Sequence, residues 1–425
     1  MDVNIEEIPK SKLRIKISLS GEEFSPYFVM GAQELSKNLN IPGFRSGKVP
    51  ADVLEEKVGK ESILEEAANI ALKKSFGKIV LEKKLEVLGP PEAKIEKLSK
   101  EEFEATIEVA TLPKVKLPEW KEIVKAEAKK EVKVEEKEVE ASFDQLRKSR
   151  AKYTRSLDPA KKGNEVIINC EIRSGGAKIE NGDVKGQRFV LGEKKLVPGF
   201  QEQLFGMREN EEKNFSIKAP DDFWQKEFQG KMLDFKASLK EIYKVELPDA
   251  NNEFASSLGK FKNIEELKKN IHEGIEMEKK QQEDARWQSV VLENIAGQSK
   301  IDLPDVLVEN ERDRMTEELK KNISEMGLSF DQYLSHLKKK EEDLKKDFLE
   351  GAEKRVKIFL SIYEIAKQEN IEISDQEIKN ELNNILAANP SFSSQVKGEE
   401  GEIVKSRIKE TLIQKKVIEI IRQQV

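Results

Sequence analysis

Residues 41–50 read I-P-G-F-R-S-G-K-V-P, and this decapeptide divides the first third of the chain. Pro42 and Pro50 each fix their own φ and push the preceding residue toward extended backbone, while Gly43 and Gly47 can take positive φ without a Cβ clash. Neither a helix nor a strand is expected to run through such a segment. Phe44, Arg45 and Lys48 would then project from a short loop. Two readings stay open on these residues alone: a loop built to touch a partner, and an ordinary solvated turn whose Phe44 folds back into the core.

Outward from the loop, the pattern is that of a small mixed domain. On the N-terminal side, residues 12–20 (K-L-R-I-K-I-S-L-S) alternate strictly and place Leu13, Ile15, Ile17 and Leu19 on one face of a half-buried strand. After Gly21 a helical stretch carries Phe24, Phe28 and Leu35. On the C-terminal side a second helical stretch, roughly residues 50–84, carries Val53, Leu54, Ile63, Leu64, Ile70 and Leu72, and strand residues return around Phe103, Ile107 and Val109. Residues 1–112 are therefore expected to form one α+β domain with the loop between its helices.

Three further segments differ in composition. Residues 113–150 are dense in mixed charge, with 8 lysines and 8 glutamates between positions 114 and 140. A run so even in sign reads as a solvated face or linker, although Val139, Phe143 and Leu146 have helical spacing. Residues 151–246 gather glycines, aromatics and the β-branched run Val166, Ile167 and Ile168, as a β-rich module would. Residues 247–425 carry helical stripes, first Leu344, Phe348, Ala352, Val356, Phe359, Tyr363 and Ala366, then Val404, Ile408, Leu412, Ile413, Val417 and Ile420. Their scant aromatic mass suggests arms packed in pairs.

Charge and composition exclude several classes. The 425 residues hold 75 basic and 81 acidic side chains, net charge −6, so no bulk positive field draws the chain onto nucleic acid. Residues 1–110 are no more basic, with 17 Lys and Arg against 20 Asp and Glu, so contact with an anionic partner has to be local to the loop. The single cysteine, Cys170, forms no intramolecular disulfide and fits a reducing compartment. The polar, acidic start is unlike a signal peptide, and no window approaches 18 consecutive apolar residues, so a cytoplasmic protein without a membrane span is expected. His272 and His336 lack metal-ligand spacing, and the phosphate-binding pattern G-x-x-x-x-G-K-[ST] is missing. No metal, cofactor or ATP cycle is expected.

Gly-Phe-Arg-x-Gly-Lys-x-Pro, some forty residues from the N-terminus, resembles the signature loop of the bacterial trigger factor family of ribosome-associated chaperones. The resemblance implies docking on the large ribosomal subunit beside the exit tunnel, through a ribosomal protein and with rRNA as a second candidate contact. It assigns the contact to Phe44 and Arg45, with Ser46 where a lysine is common in the family and Lys48 in support. It also implies that the 113–150 segment lies against the C-terminal domain, that nascent and unfolded polypeptides are the clients, and that free molecules can form a homodimer.

A second resemblance lies in residues 189–207, F-V-L-G-E-K-K-L-V-P-G-F-Q-E-Q-L-F-G-M, which are similar to the heart of FKBP-type prolyl isomerases. The similarity extends over roughly residues 163–245 and continues in P-D-D-F around Phe223 and in Phe235 after Gly230. It implies an antiparallel half-barrel with a helix, and a pocket of Phe189, Leu196, Val197, Phe200, Phe223 and Phe235, with Val197 offering a backbone N–H to the substrate. On the residues alone these are equally core positions of a half-barrel. Three departures point to weakened activity: Cys170 stands where the family has an aromatic, Ile179 where it often has phenylalanine, and Phe223 where a tyrosine is common.

The preferred reading is an α+β multidomain chaperone, independent of ATP, that holds nascent chains open, assists folding and export, and carries prolyl cis-trans isomerase activity. Its helical arms would offer dispersed apolar contacts, with Met315, Leu319, Ile323 and Met326 on one arm and Phe359 and Tyr363 on another. The same stripes could instead pack arm on arm. Two alternatives remain at this stage: a prolyl isomerase without ribosome docking, and a non-catalytic helical interaction scaffold.

Overall fold

Alternation in K-L-R-I-K-I-S-L-S builds the centre of an antiparallel sheet. The computed structural model describes residues 1–37, 49, 51–193, 197–221, 223, 228–389 and 398–424. The chain opens with β1 (Asp2–Ile8), β2 (Lys12–Ser20), α1 (Gly21–Lys37), α2 (Ala51–Val58), α3 (Lys60–Lys83), β3 (Val87–Leu98) and β4 (Glu102–Thr111). The strands pair in the order β1-β2-β4-β3. Leu13, Ile15, Ile17 and Leu19 are buried on one face together with Phe103, Ala105, Ile107 and Val109 from β4. Phe24 of α1 stacks on Phe103 with ring centroids 5.1 Å apart.

The expected single helix over residues 50–84 is two. Gly59 sits at φ 85 and ψ 148 between α2 and α3, an extended positive-φ conformation that ends the first helix and that glycine adopts without strain. The buried face of α3 is rich in alanine, with Ala67, Ala68 and Ala71 beside Ile63, Leu64 and Ile79. Small side chains let the helices approach closely: a Cβ on Gly31 of α1 would lie 2.7 Å from the Ala67 backbone nitrogen. A search for large apolar residues underrates this face.

The chain divides into two compact units, Met1–Lys129 with Asp284–Val425, and Lys130–Glu283. In the first, the charge-dense segment contributes β5 (Val115–Lys116) and α4 (Trp120–Ala126). It is not a solvated linker there, because Trp120 and Val124 are buried with Trp287, Val291 and Ile295. Trp287 donates its indole N–H to the Glu127 carbonyl at 2.8 Å, and the Lys129 ammonium lies 4.6 Å from the Trp287 ring centroid. Evenly mixed charge thus covers a strip with two apolar anchors.

The second unit begins at α5 (Glu136–Ser149), which starts with a capping box between Glu135 and Glu138. It continues through β6 (Lys152–Arg155), β7 (Asn164–Ser174), β8 (Ala177–Val190), α6 (Phe200–Leu204), β9 (Glu212–Lys218), β10 (Met232–Glu246), α7 (Asn252–Leu258) and α8 (Ile264–Gln298), which carries the chain back to the first unit. The sheet order is β6-β10-β7-β8, with β9 also on β10, and every pairing is antiparallel. Phe143 of α5 meets Phe254 of α7 edge-to-face, 5.8 Å between centroids, over Ala255 and Leu267.

The first unit closes with β11 (Lys300–Ile301), which pairs β5, and with α9 (Asp305–Glu325), α10 (Phe330–Leu337), α11 (Glu341–Asp347), α12 (Leu349–Gln368), α13 (Asp375–Ala388) and α14 (Gly398–Arg422). Ile362, Ile365 and Ala366 of α12 and Val417 and Ile421 of α14 complete the tryptophan-centred core. By contrast α13 has no buried residue and is tied to α14 by Lys415–Glu381 and Lys416–Glu377 ion pairs, each 2.7 Å.

Candidate functional site

The docking residues expected at Phe44, Arg45, Ser46 and Lys48 lie outside the described residues, as does Leu196. The flanks of the loop are described: α1 ends at Lys37, Val49 is buried in the N-terminal core, and α2 begins at Ala51.

The aromatic cluster at the expected pocket is built by three short elements. Phe235 of β10 stands directly opposite Phe215 of β9, and the two rings stack at 5.5 Å and 13°. Phe200, the first residue of α6, meets both rings edge-on, 5.3 Å from Phe235 and 5.4 Å from Phe215. It is held there by a tight turn: Gly199 adopts φ 87, and the Phe200 N–H donates to the Val197 carbonyl at 3.0 Å. Phe223 and Phe235 are buried in the same cluster, with Phe189 and Val197 partly buried against it. Sequence reasoning missed Phe215, although the alternation in E-K-N-F-S-I-K could have placed it beside Ile217 on the inner face.

Cys170 and Ile179 belong to this cluster as well. Burial pushes the Cys170 thiol up to about 12, so it stays protonated at neutral pH and is no nucleophile. The chemistry available here is conformational. Amide resonance sets a barrier of roughly 18–20 kcal/mol to rotation about a peptide bond, and an aromatic, water-poor wall favours the twisted, less polar amide over the planar one. Nothing in that scheme calls for a metal or a general base.

A second apolar site lies in the other unit. Val87 and Leu88 of β3 and Leu112, just after β4, line a cavity of about 270 Å³ with Phe359, Ile362 and Tyr363 of α12 and Ile413 of α14. Phe359 and Tyr363 remain 37% and 45% exposed, large values for aromatic side chains. The sheet is held to the helices at its β1–β2 turn, where the Lys10 ammonium meets Asp305 at 2.7 Å. The Ser11 N–H donates to an Asp302 carboxylate oxygen at 2.8 Å, and its hydroxyl donates to the Asp302 carbonyl at 2.6 Å.

On α9 the expected stripe divides. Ile323 is buried and offers no surface, Met315 and Leu319 are half-buried, and Met326, just past the helix, is 77% exposed. His272 and His336 are both exposed. No helix among the described residues is long and apolar enough to cross a membrane.

An FKBP-like sheet with its aromatic pocket, set in a chain that also carries a helical body and an open apolar groove, defines the class: a multidomain protein-folding factor with a built-in prolyl-isomerase domain. Comparison with known proteins resolves the class into a family. Residues 1–146 match the family model described as bacterial trigger factor protein, residues 263–423 match its C-terminal counterpart, and residues 158–248 match FKBP-type peptidyl-prolyl cis-trans isomerase. The trigger factor of Caldicellulosiruptor bescii is 31% identical over 99% of this chain and 96% of its own length. That of Clostridium botulinum is 29% identical, covering 89% of this chain and 88% of its own. A solved structure described as "Promiscuous Substrate Recognition in Folding and Assembly Activities of the Trigger Factor Chaperone" shares the fold at a TM-score of 0.56 and 21% identity, covering 100% of this chain and 99% of that one. The chain belongs to the trigger factor family, ribosome-associated chaperones with an FKBP-type prolyl-isomerase domain.

Proposed function

We propose that this protein docks on the large ribosomal subunit beside the exit tunnel through Phe44 and Arg45, with Lys48 in support and Ser46 contributing little charge. There it binds emerging polypeptides weakly and at several points, keeps them open until more sequence has appeared, and assists folding and export without ATP. Its clients touch Phe359 and Tyr363 along the groove, Met315 and Leu319 on α9, and Met326 just past it. Its FKBP-type domain isomerises X-Pro bonds at a reduced rate, through Phe189, Leu196, Val197, Phe200, Phe223 and Phe235. Free molecules pair as homodimers in the cytoplasm.

The observation that carries this reading is the open groove, where two large aromatic side chains stay 37% and 45% exposed on a helix that buries Ala352, Val356, Leu360, Ile362, Ile365 and Ala366. Weak, dispersed contacts suit a chaperone, since one tight site would obstruct folding. Cosedimentation with ribosomes tests the docking: the wild type pellets and the Phe44→Ala, Arg45→Ala, Lys48→Ala triple variant stays in the supernatant. Equal pelleting of the two would overturn the docking assignment.

A further inference from the structure

The groove beside Phe359 and Tyr363 has one wall from the helices and one from the N-terminal sheet, and a serine on the first turn of that sheet connects the two. Ser11 lies at φ 49 and its neighbour Lys10 at φ 66. This is left-handed backbone, which L side chains adopt at a cost and which persists where surrounding contacts hold it. Glycine or asparagine would suit the turn better. What the serine adds is bonding, because its N–H, hydroxyl and carbonyl are all engaged. The N–H donates to an Asp302 carboxylate oxygen at 2.8 Å and the hydroxyl to the Asp302 carbonyl at 2.6 Å. The Ser11 carbonyl accepts the Thr111 N–H at 2.8 Å and the Thr111 hydroxyl at 3.1 Å.

From Ser11 a line of contacts runs into each wall, and every member belongs to the first compact unit. Thr111 immediately precedes Leu112, which lines the groove, and the Leu112 N–H donates to the Glu86 carbonyl at 3.0 Å. Glu86, Val87 and Leu88 complete that wall. On the other side, Asp302 stands just before α9, and α9 is tied to α12 by Arg355, which meets Glu318 at 2.9 Å and Glu311 at 3.2 Å. Phe359 and Tyr363 follow Arg355 by about one and two helical turns. Sheet and helix also touch here: a Cβ on Gly89, next to Leu88, would lie 3.1 Å from Cγ2 of Val306 on α9.

Neither Ser11 nor Asp302 lines the cavity. What they act on is its width. A wall free to shift has to be fixed each time an apolar segment is taken up, and the cost of that ordering lowers affinity, whereas a wall held in advance avoids it.

We propose that Ser11 and Asp302 are a positioning pair of the client groove. They hold the wall of Val87, Leu88 and Leu112 at a fixed spacing from Phe359 and Tyr363, ready for an apolar side chain of an unfolded polypeptide, and touch no client themselves. The proposal rests on the groove being a client site, and the experiment separates the two.

Binding of a fluorescein-labelled peptide with the apolar core Leu-Phe-Ile-Leu is followed by anisotropy on the full-length protein. Asp302→Ala, which removes the acceptor for the Ser11 N–H, raises Kd about fivefold, the scale of one lost hydrogen bond. Asp302→Asn keeps a side-chain oxygen for that N–H and recovers most of the affinity. By hydrogen exchange the Leu112 amide of Asp302→Ala exchanges about fivefold faster, while the Ile15 amide at the centre of the sheet stays protected, which separates a loosened wall from an unfolded domain. Should Asp302→Ala expose Ile15 as well, Ser11→Gly carries the test: it removes the hydroxyl, eases the left-handed backbone, and shows a smaller loss of the same kind.

A double-mutant cycle decides the role. In a protein already carrying Leu88→Ala and Leu112→Ala, the added Asp302→Ala changes Kd by less than about twofold, because the wall it would position is gone. A full loss that persists in that background, binding by Asp302→Ala within about twofold of the wild type, or a Leu112 amide as protected as in the wild type overturns the positioning role alone. Wild-type affinity in both the Leu88→Ala, Leu112→Ala variant and Tyr363→Ala refutes the groove as a client site, and the positioning pair falls with it.

Discussion

Phe235 and Phe359 are the same residue type put to opposite uses. In the FKBP-like unit, Phe200, Phe215 and Phe235 form a three-ring cluster in which Phe200 and Phe235 are almost wholly buried. On α12, Phe359 and Tyr363 leave over a third of their surface open. The first arrangement gives a buried aromatic wall of fixed geometry. The second gives a surface that accepts many shapes and holds none of them strongly. What differs is the covering: the three rings from α6, β9 and β10 sit in one buried cluster, whereas the groove, lined by residues 86–88 and 112 together with α12 and α14, leaves Phe359 and Tyr363 partly open.

The widest test of this contrast is a pair of truncations. Phe235→Ala removes a buried ring and leaves a cavity, so denaturant unfolding of the FKBP-like unit should show a loss of about 3–5 kcal/mol, with isomerase activity lost as well. Phe359→Ala should cost under about 1 kcal/mol, yet weaken suppression of aggregation of a refolding client. If Phe359→Ala proves as destabilising as Phe235→Ala, the groove is core and the contrast collapses.

A smaller effect sharpens the pocket side. Phe223→Tyr restores a hydroxyl at a wall position and should raise kcat/KM by up to about tenfold, the worth of one neutral hydrogen bond. An unchanged or lower rate would show that this wall does not face the substrate.

The smallest effect concerns the helical arm. Hydrogen bonds from the Lys416 ammonium and from the Ser374 backbone and hydroxyl lower the Glu377 carboxyl from 4.5 to about 2. A carboxyl depressed in the folded state adds stability that is present in full above its unfolded value and is lost as pH falls through the folded one. The α13–α14 pairing should therefore loosen as pH drops from about 4.5 toward 2, and also in high salt. NMR signals of α13 would report it, while the apolar FKBP-like pocket stays unchanged in salt. Equal salt sensitivity of both regions would contradict an arm held by surface ion pairs.

Much of this was legible beforehand, for a definite reason. The β2 alternation, the β-rich middle and the long amphipathic helices are local patterns, and local patterns follow from the periodicity of strand and helix. That Phe189, Val197, Phe200, Phe223 and Phe235 share one cluster was legible through resemblance, since V-P-G-F and the phenylalanines after it keep their order. Trp120 was hidden by the charges around it, and the alanine face of α3 by its small side chains. Ile323 and Met326 looked alike on one stripe, although the first is buried and the second exposed.

The sequence alone determined that the chain is built in segments of different character and that it has no bulk positive field. Those properties depend on composition and near-neighbour order. The tertiary structure alone decided that Phe215 joins Phe200 and Phe235, and that Trp120 meets Trp287 across more than a hundred and fifty residues. These are contacts between distant or oppositely directed pieces of backbone, and burial and hydrogen-bond satisfaction have values only once the pieces are packed.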